Sequence, residues 1–152
     1  MAKGIAARTA PVLAWLRENL WLPALLSRLA MAGEFIPSGW SNLHNLPKMT
    51  AYFASLHIPA PGLNAVASGA TELVAGVLLL VGLGTRFAAA ALIVVMSVAI
   101  LTAKIHEPGV HGIDTFLYLA EPGYVVILTW LVFYGGGRAS VDARFKSSAS
   151  AK

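Results

Sequence analysis

The chain has no cysteine. Disulfides, thiol–disulfide exchange, thiolate metal sites and cysteine-held iron–sulfur clusters are therefore excluded within it. Charge is also scarce. Only 12% of residues are charged and 57% are hydrophobic, where a soluble domain carries about 25% charged residues. A mean hydropathy of +0.71 points the same way. The excess of basic over acidic residues gives a net charge of +4, yet the basic residues are not grouped with aromatics on a polar face, so nucleic acid is not an expected partner. The four histidines, His44, His57, His106 and His111, all fall outside the middle of the apolar stretches. That argues against a haem held between two helices by paired histidines.

What the chain does have is four apolar stretches, at residues 22–43, 63–83, 87–104 and 115–134. At about 1.5 Å per residue, ~20 helical residues cover a hydrocarbon core of ~30 Å. The expected fold is all-α: an integral membrane four-helix bundle, with a short interfacial helix between spans 1 and 2 over His44–Leu56. Residues 1–21 read as an N-terminal segment lying on the cytoplasmic surface, with a short helix from Pro11 to Leu20. Residues 22–136 form the membrane domain. Residues 137–152 form a basic cytoplasmic tail, disordered near its end. The small-residue triplet Ala30-Met31-Ala32 resembles a signal-peptidase site, but Arg17, Glu18, Pro23 and Arg28 interrupt the stretch before it, so the first span reads as a retained helix. Pro37 is expected to kink or end that helix.

The basic residues sort by side. With the N-terminus inside, the inner segments carry Lys3, Arg8, Arg17, Arg86, Arg138, Arg144, Lys146 and Lys152, and the outer segments carry only Lys48 and Lys104. Eight against two places both termini in the cytoplasm by the positive-inside rule.

Polar exceptions inside the apolar stretches mark candidate sites, because an ionisable group at membrane depth costs on the order of 3 kcal/mol. They are Arg28, Glu34, Glu72 and Glu121. Counted from the inner edge, Glu34 lies about 18 Å deep and Glu72 about 16 Å. Both are expected to face the bundle at one level, with Arg28 in reach of at least one. Ala65, Gly69, Glu72 and Gly76 share one face, a stripe suited to close helix packing. Ser27, Met31, Glu34, Ser38 and Ser41 form a comparable stripe on the first span. Tyr118 lies one turn before Glu121 and faces the same way, and Trp40 sits near the outer interface. A surface metal site from His106, Glu107, His111 and Asp114 is conceivable by donor type, although its spacing matches no strong motif.

The run Thr71-Glu72-Leu73-Val74-Ala75-Gly76, continuing to Gly82-Leu83-Gly84-Thr85-Arg86, resembles the second-helix signature of the DoxX family. The segment from Gly39-Trp40 to His44-Asn45-Leu46 is similar to that family's first-helix exit. Gly135–Asp142 resembles its closing glycine–arginine–serine–aspartate motif. The resemblance implies a multi-pass protein of the bacterial inner membrane linked to redox systems, one branch being similar to a quinone-reducing subunit of a thiosulfate:quinone oxidoreductase. Two departures stand out: some relatives carry cysteines, and several carry lysine where this chain has Asn42. The expected function is a small subunit of a quinone-linked redox system, with quinone as the ligand and Arg28, Glu34, Glu72, Tyr118, Glu121 and Trp40 around it. Expected partners are the lipid bilayer and other membrane subunits or a second copy. A structural or assembly subunit and a proton-coupled carrier of small solutes are the alternatives.

Overall fold

A computed structural model describes residues 17–103 and 119–150, together with 11, 14 and 15, with side chains as far as Phe145. The described residues form six helices: α1 Trp21–His44, α2 Leu46–Ser55, α3 Pro61–Val81, α4 Thr85–Thr102, α5 Ala120–Tyr134 and α6 Val141–Ser150. The protein is all-α, and no strand occurs among the described residues.

Local chemistry sets the boundaries. Pro61 starts α3, where its missing N–H costs nothing and its fixed φ is already helical. Gly82 ends α3 at φ +73, a left-handed turn that glycine adopts without strain. Its N–H and that of Leu83 both bond to the Leu78 carbonyl, at 2.8 and 3.0 Å. Helix α1 runs through Pro37 to His44, so the expected helix end at that proline does not occur.

The fourth apolar stretch departs from expectation. Helix α5 begins at Ala120, because Leu119 is extended, with φ −68 and ψ 145. Pro122 supplies the reason: its ring would collide with the carbonyl four residues earlier if the helix continued upstream. The expected start at Thr115 itself lies outside the described residues, as does most of the expected helix from Pro11 to Leu20. Residues 141–150 of the tail form α6, and the tail's last two residues lie outside the described ones.

Helices α1, α3, α4 and α5 make the bundle. Helix α1 packs along α3, α3 also contacts α4, α4 packs on α5, and α5 returns to α1. The short helix expected between spans 1 and 2 is present as α2, and it lies against α3. Helices α1 and α3 run antiparallel and nearly touch through small residues. A Cβ on Gly39 would stand 2.5 Å from the Leu73 backbone nitrogen and 2.7 Å from the Gly69 carbonyl oxygen. Ala65, Gly69, Glu72 and Gly76 are all buried in this contact, so the stripe read from the sequence is the packing face. The corresponding stripe on α1 is so only in part, through Met31 and through Ser38, which bonds Glu72. The buried face there is Ala24, Arg28, Met31, Ala32, Phe35 and Gly39, and Glu34 and Ser41 are exposed.

The core joins Met31 and Phe35 to Leu79, Leu92, Met96, Leu128 and Leu131. The outside is apolar too: Leu63, Phe87, Val126 and Phe133 are 70 to 85% exposed. An apolar exterior of this extent has no place in water but suits lipid. Helices α3 and α4 are each long and apolar enough to cross a membrane.

Candidate functional site

The candidate residues do not converge on one site. They separate into three places.

Glu72 occupies the first. It is 5% exposed and accepts three side-chain hydrogen bonds. Ser38 Oγ and Asn42 Nδ2 from α1 donate to Oε2 at 2.8 and 3.0 Å, and Ser68 Oγ, one turn back on α3, donates to Oε1 at 3.2 Å. Ser38 and Asn42 are four residues apart and so share a face of α1, which the Gly39 contact presses onto α3. A carboxylate has roughly four acceptor positions, so Oε1 retains capacity for a further donor.

Glu72 also lines a cavity of about 350 Å³ enclosed by α2, α3 and α4. On α3 the wall runs from Asn64 to Glu72, which places the carboxylate about 12 Å from the α2 end of the cavity. Tyr52, Phe53 and Leu56 of α2 and Val94 and Val98 of α4 give it apolar sides. The volume lies within the ~300–1,000 Å³ range of small-molecule sites, and the lining is of that kind: mostly apolar, with a few polar groups.

Arg28 is elsewhere and does not reach either glutamate. Its side chain is 1% exposed and is spent on backbone carbonyls: Nε on Leu79 O at 2.8 Å, Nη2 on Leu80 O at 2.9 Å, and Nη1 on Gly136 O and Ala139 O, both at 2.9 Å. The guanidinium therefore satisfies carbonyls at the C-terminal end of α3 and in the loop after α5. Gly82 makes room for it, since a Cβ there would stand 2.5 Å from Arg28 Nη2. Asp142, close enough to act on the Arg28 charge, completes the knot. Its carboxylate accepts the N–H groups of Gly84 and Thr85 at 2.7 and 3.0 Å, capping the start of α4. The expected ion pair with a glutamate is thus replaced by a clamp on main chain. The α1 helix explains it: Arg28 lies ten residues, or about 15 Å, from Ser38, which marks the level of Glu72.

Glu34 and Glu121 make the third place. The Tyr124 hydroxyl lies close enough to Glu34, and to Glu121 one turn earlier on α5, for both carboxylates to act on it electrostatically. The Tyr124 ring packs edge-on to Phe35, with centroids 6.0 Å apart. Glu34 is on the outer face of the bundle, not inside as expected, because it follows the buried face of α1 by ~100°. It also sits about 6 Å along α1 from Ser38, the level of Glu72, so the two carboxylates are neither level nor facing.

Trp40 is 58% exposed and stacks on His44, with ring centroids 4.1 Å apart. It does not line the Glu72 cavity. Tyr118, and the suggested metal ligands His106, Glu107, His111 and Asp114, lie outside the described residues. No metal-binding cluster occurs among the described residues. Ser38, Ser68 and Tyr124 were not picked out as partners of the glutamates. The four-residue spacings Ser68 to Glu72 and Ser38 to Asn42 were the available signal.

The segments that meet at Arg28 and Glu72 are those that carried the resemblance. The DoxX family description matches residues 24–105, more than half of the chain. The chain belongs to the DoxX family. It is also similar to an uncharacterized membrane protein of Mycobacterium tuberculosis, with 35% identity over 107 residues, covering 65% of this chain and 66% of that protein. The match thus spans just under two thirds of that relative's length. No solved structure matches the chain. This DoxX protein is therefore an all-α membrane protein associated with the lipid bilayer.

Proposed function

We propose that this DoxX protein is a four-span subunit of a quinone-linked redox system in the inner membrane, and that the Glu72 cavity receives the quinone head group. The observation that carries the reading is a buried carboxylate on the wall of a mostly apolar cavity, with one oxygen still able to accept a donor. A quinol O–H is such a donor, and its ring and tail need the apolar walls that Tyr52, Phe53, Val94 and Val98 provide. Ser38, Asn42 and Ser68 fix the carboxylate, and Glu72 exchanges a proton with the head group. Quinone reduction takes two electrons and two protons, so the electrons come from a partner subunit of the system. The separation of Glu34 from Glu72 leaves no adjacent pair of carboxylates for a carrier's relay. A purely structural Glu72 would account for the three bonds but not for the cavity beside it.

The test is Glu72→Gln, which keeps shape and most of the hydrogen bonding but removes the titrating proton. In lipid nanodiscs, quinol binding is expected to weaken about tenfold or more while the helical content stays unchanged. Wild-type binding by the variant would overturn the quinone reading. Loss of the assembled complex with quinol binding intact would establish the assembly-subunit reading in its place.

A further inference from the structure

At the end of the bundle opposite α2, a second cavity of about 510 Å³ lies between the start of α4, the end of α5 and the start of α6. Two arginines line it, Arg86 and Arg138, and both are exposed. Arg86 is held in place: its Nη2 donates to Phe133 O at 3.1 Å. That bond uses one of the five donors on a guanidinium, and it sets the cation at the negative end of the α5 dipole. Asp142 is the carboxylate among the lining residues, and its two oxygens are engaged by the N–H groups of Gly84 and Thr85. The two arginines outnumber this carboxylate, so the lining side chains carry a positive excess.

The rest of the wall joins small residues to three aromatic ones. Phe87, Tyr134 and Phe145 line the cavity, and Phe87 is 85% and Phe145 65% exposed. Phe133, also exposed, continues the apolar surface beside them. The cavity thus sets two arginine side chains beside exposed apolar ones. A free phosphate would use only the first feature, whereas a phospholipid would use both. Arginine forks pair with phosphate oxygens in two parallel bonds, and basic pockets between membrane helices are a known setting for anionic head groups.

We infer that Arg86 and Arg138 bind the phosphate of an anionic phospholipid whose acyl chains lie along Phe87 and Phe133. The site rests on the bilayer setting and is independent of the quinone reading, since it is at the opposite end of α4 from the Glu72 cavity. It would tether the start of α6 to the membrane surface and hold the α4, α5 and α6 ends together.

The full-length protein is released from nanodiscs containing phosphatidylglycerol and phosphatidylcholine in equal parts, and bound lipid is counted by native mass spectrometry. Wild type is expected to retain phosphatidylglycerol over phosphatidylcholine. Arg138→Gln, which removes the guanidinium charge at an exposed loop position, is expected to reduce retained phosphatidylglycerol several-fold, and Arg86→Gln with Arg138→Gln about tenfold or more. Lys48→Gln, on α2 at the far end, is expected to leave it within twofold. Equal retention by Arg138→Gln and wild type, or equal losses in the Arg138 and Lys48 variants, would overturn the site. Displacement of the lipid by millimolar inorganic phosphate would overturn the lipid as occupant and assign the site to free phosphate.

Discussion

Arg28 shows how far a single buried charge can be committed to the main chain. A guanidinium so placed is tolerable only because each of the four carbonyls it meets takes part of its charge. Hydrogen bonds to charged groups are worth ~1.5–3 kcal/mol each, and the loss of a partner leaves the other group unsatisfied. Lysine cannot replace the planar fork: its ammonium is a point charge that reaches fewer of these acceptors. Arg28→Lys is therefore expected to destabilise the protein by about 3 kcal/mol or more, measured as a lower midpoint of thermal unfolding in detergent. A midpoint unchanged from wild type would remove the clamp from the account. This residue also marks the limit of sequence reading. Its depth and its cost were legible, and so an electrostatic partner was sought among the glutamates. The partners are backbone carbonyls 51 to 111 residues away, and a carbonyl carries no signature in a side-chain pattern.

At the scale of the element, the α1–α3 contact decides the position of Glu72. Helix α3 was readable because its small residues and its glutamate repeat at helical spacing, and periodicity is what burial selects. Helix α1 was misread because its polar residues also repeat at helical spacing while the packing stripe beside them is made of Ala24, Met31, Ala32, Phe35 and Gly39. Two stripes on one helix look alike until a neighbour chooses between them. Two glycines of α1 separate packing from propensity. Gly39→Ala would drive a methyl into the α3 backbone at 2.5 Å. It is expected to cost ~1–3 kcal/mol as overpacking, and to weaken quinol binding by moving Ser38 and Asn42 off the carboxylate. Gly33 has nothing within 4 Å of an added Cβ, so Gly33→Ala is expected to be neutral or to stabilise by up to ~1 kcal/mol. Unfolding midpoints of the two variants, measured side by side, check the pair. Equal effects would mean that the helices do not meet through Gly39.

For the whole molecule, the two ends of the bundle differ in chemistry. One end gathers the α3–α4 turn, the α5–α6 loop, Arg28, Arg86 and Asp142 into a knot of hydrogen bonds, with Arg138 beside it. The other carries α2, with Lys48 as its basic residue. The positive-inside bias is an insertion rule that acts on short loops. It predicts that the knotted end faces the cytoplasm, since Arg86, Arg138 and Arg144 are all there, and that α2 lies on the opposite surface. The packing adds a constraint that charge counting does not have. The Arg28 and Asp142 bonds tie α1, α3, α4 and the segment after α5 to one side, so these four must share an orientation. Reporter fusions after Arg138 and within α2 are expected to read cytoplasmic and periplasmic respectively. Two fusions reporting the same side would break the four-span topology. A reversed pair would keep the bundle but place the arginine cavity on the outer leaflet, against the charge bias. Moving the bias tests its cause: replacing Arg138 and Arg144 with Gln while adding Lys beside Lys48 is expected to populate the reversed orientation in part, read as mixed reporter activity from both sites.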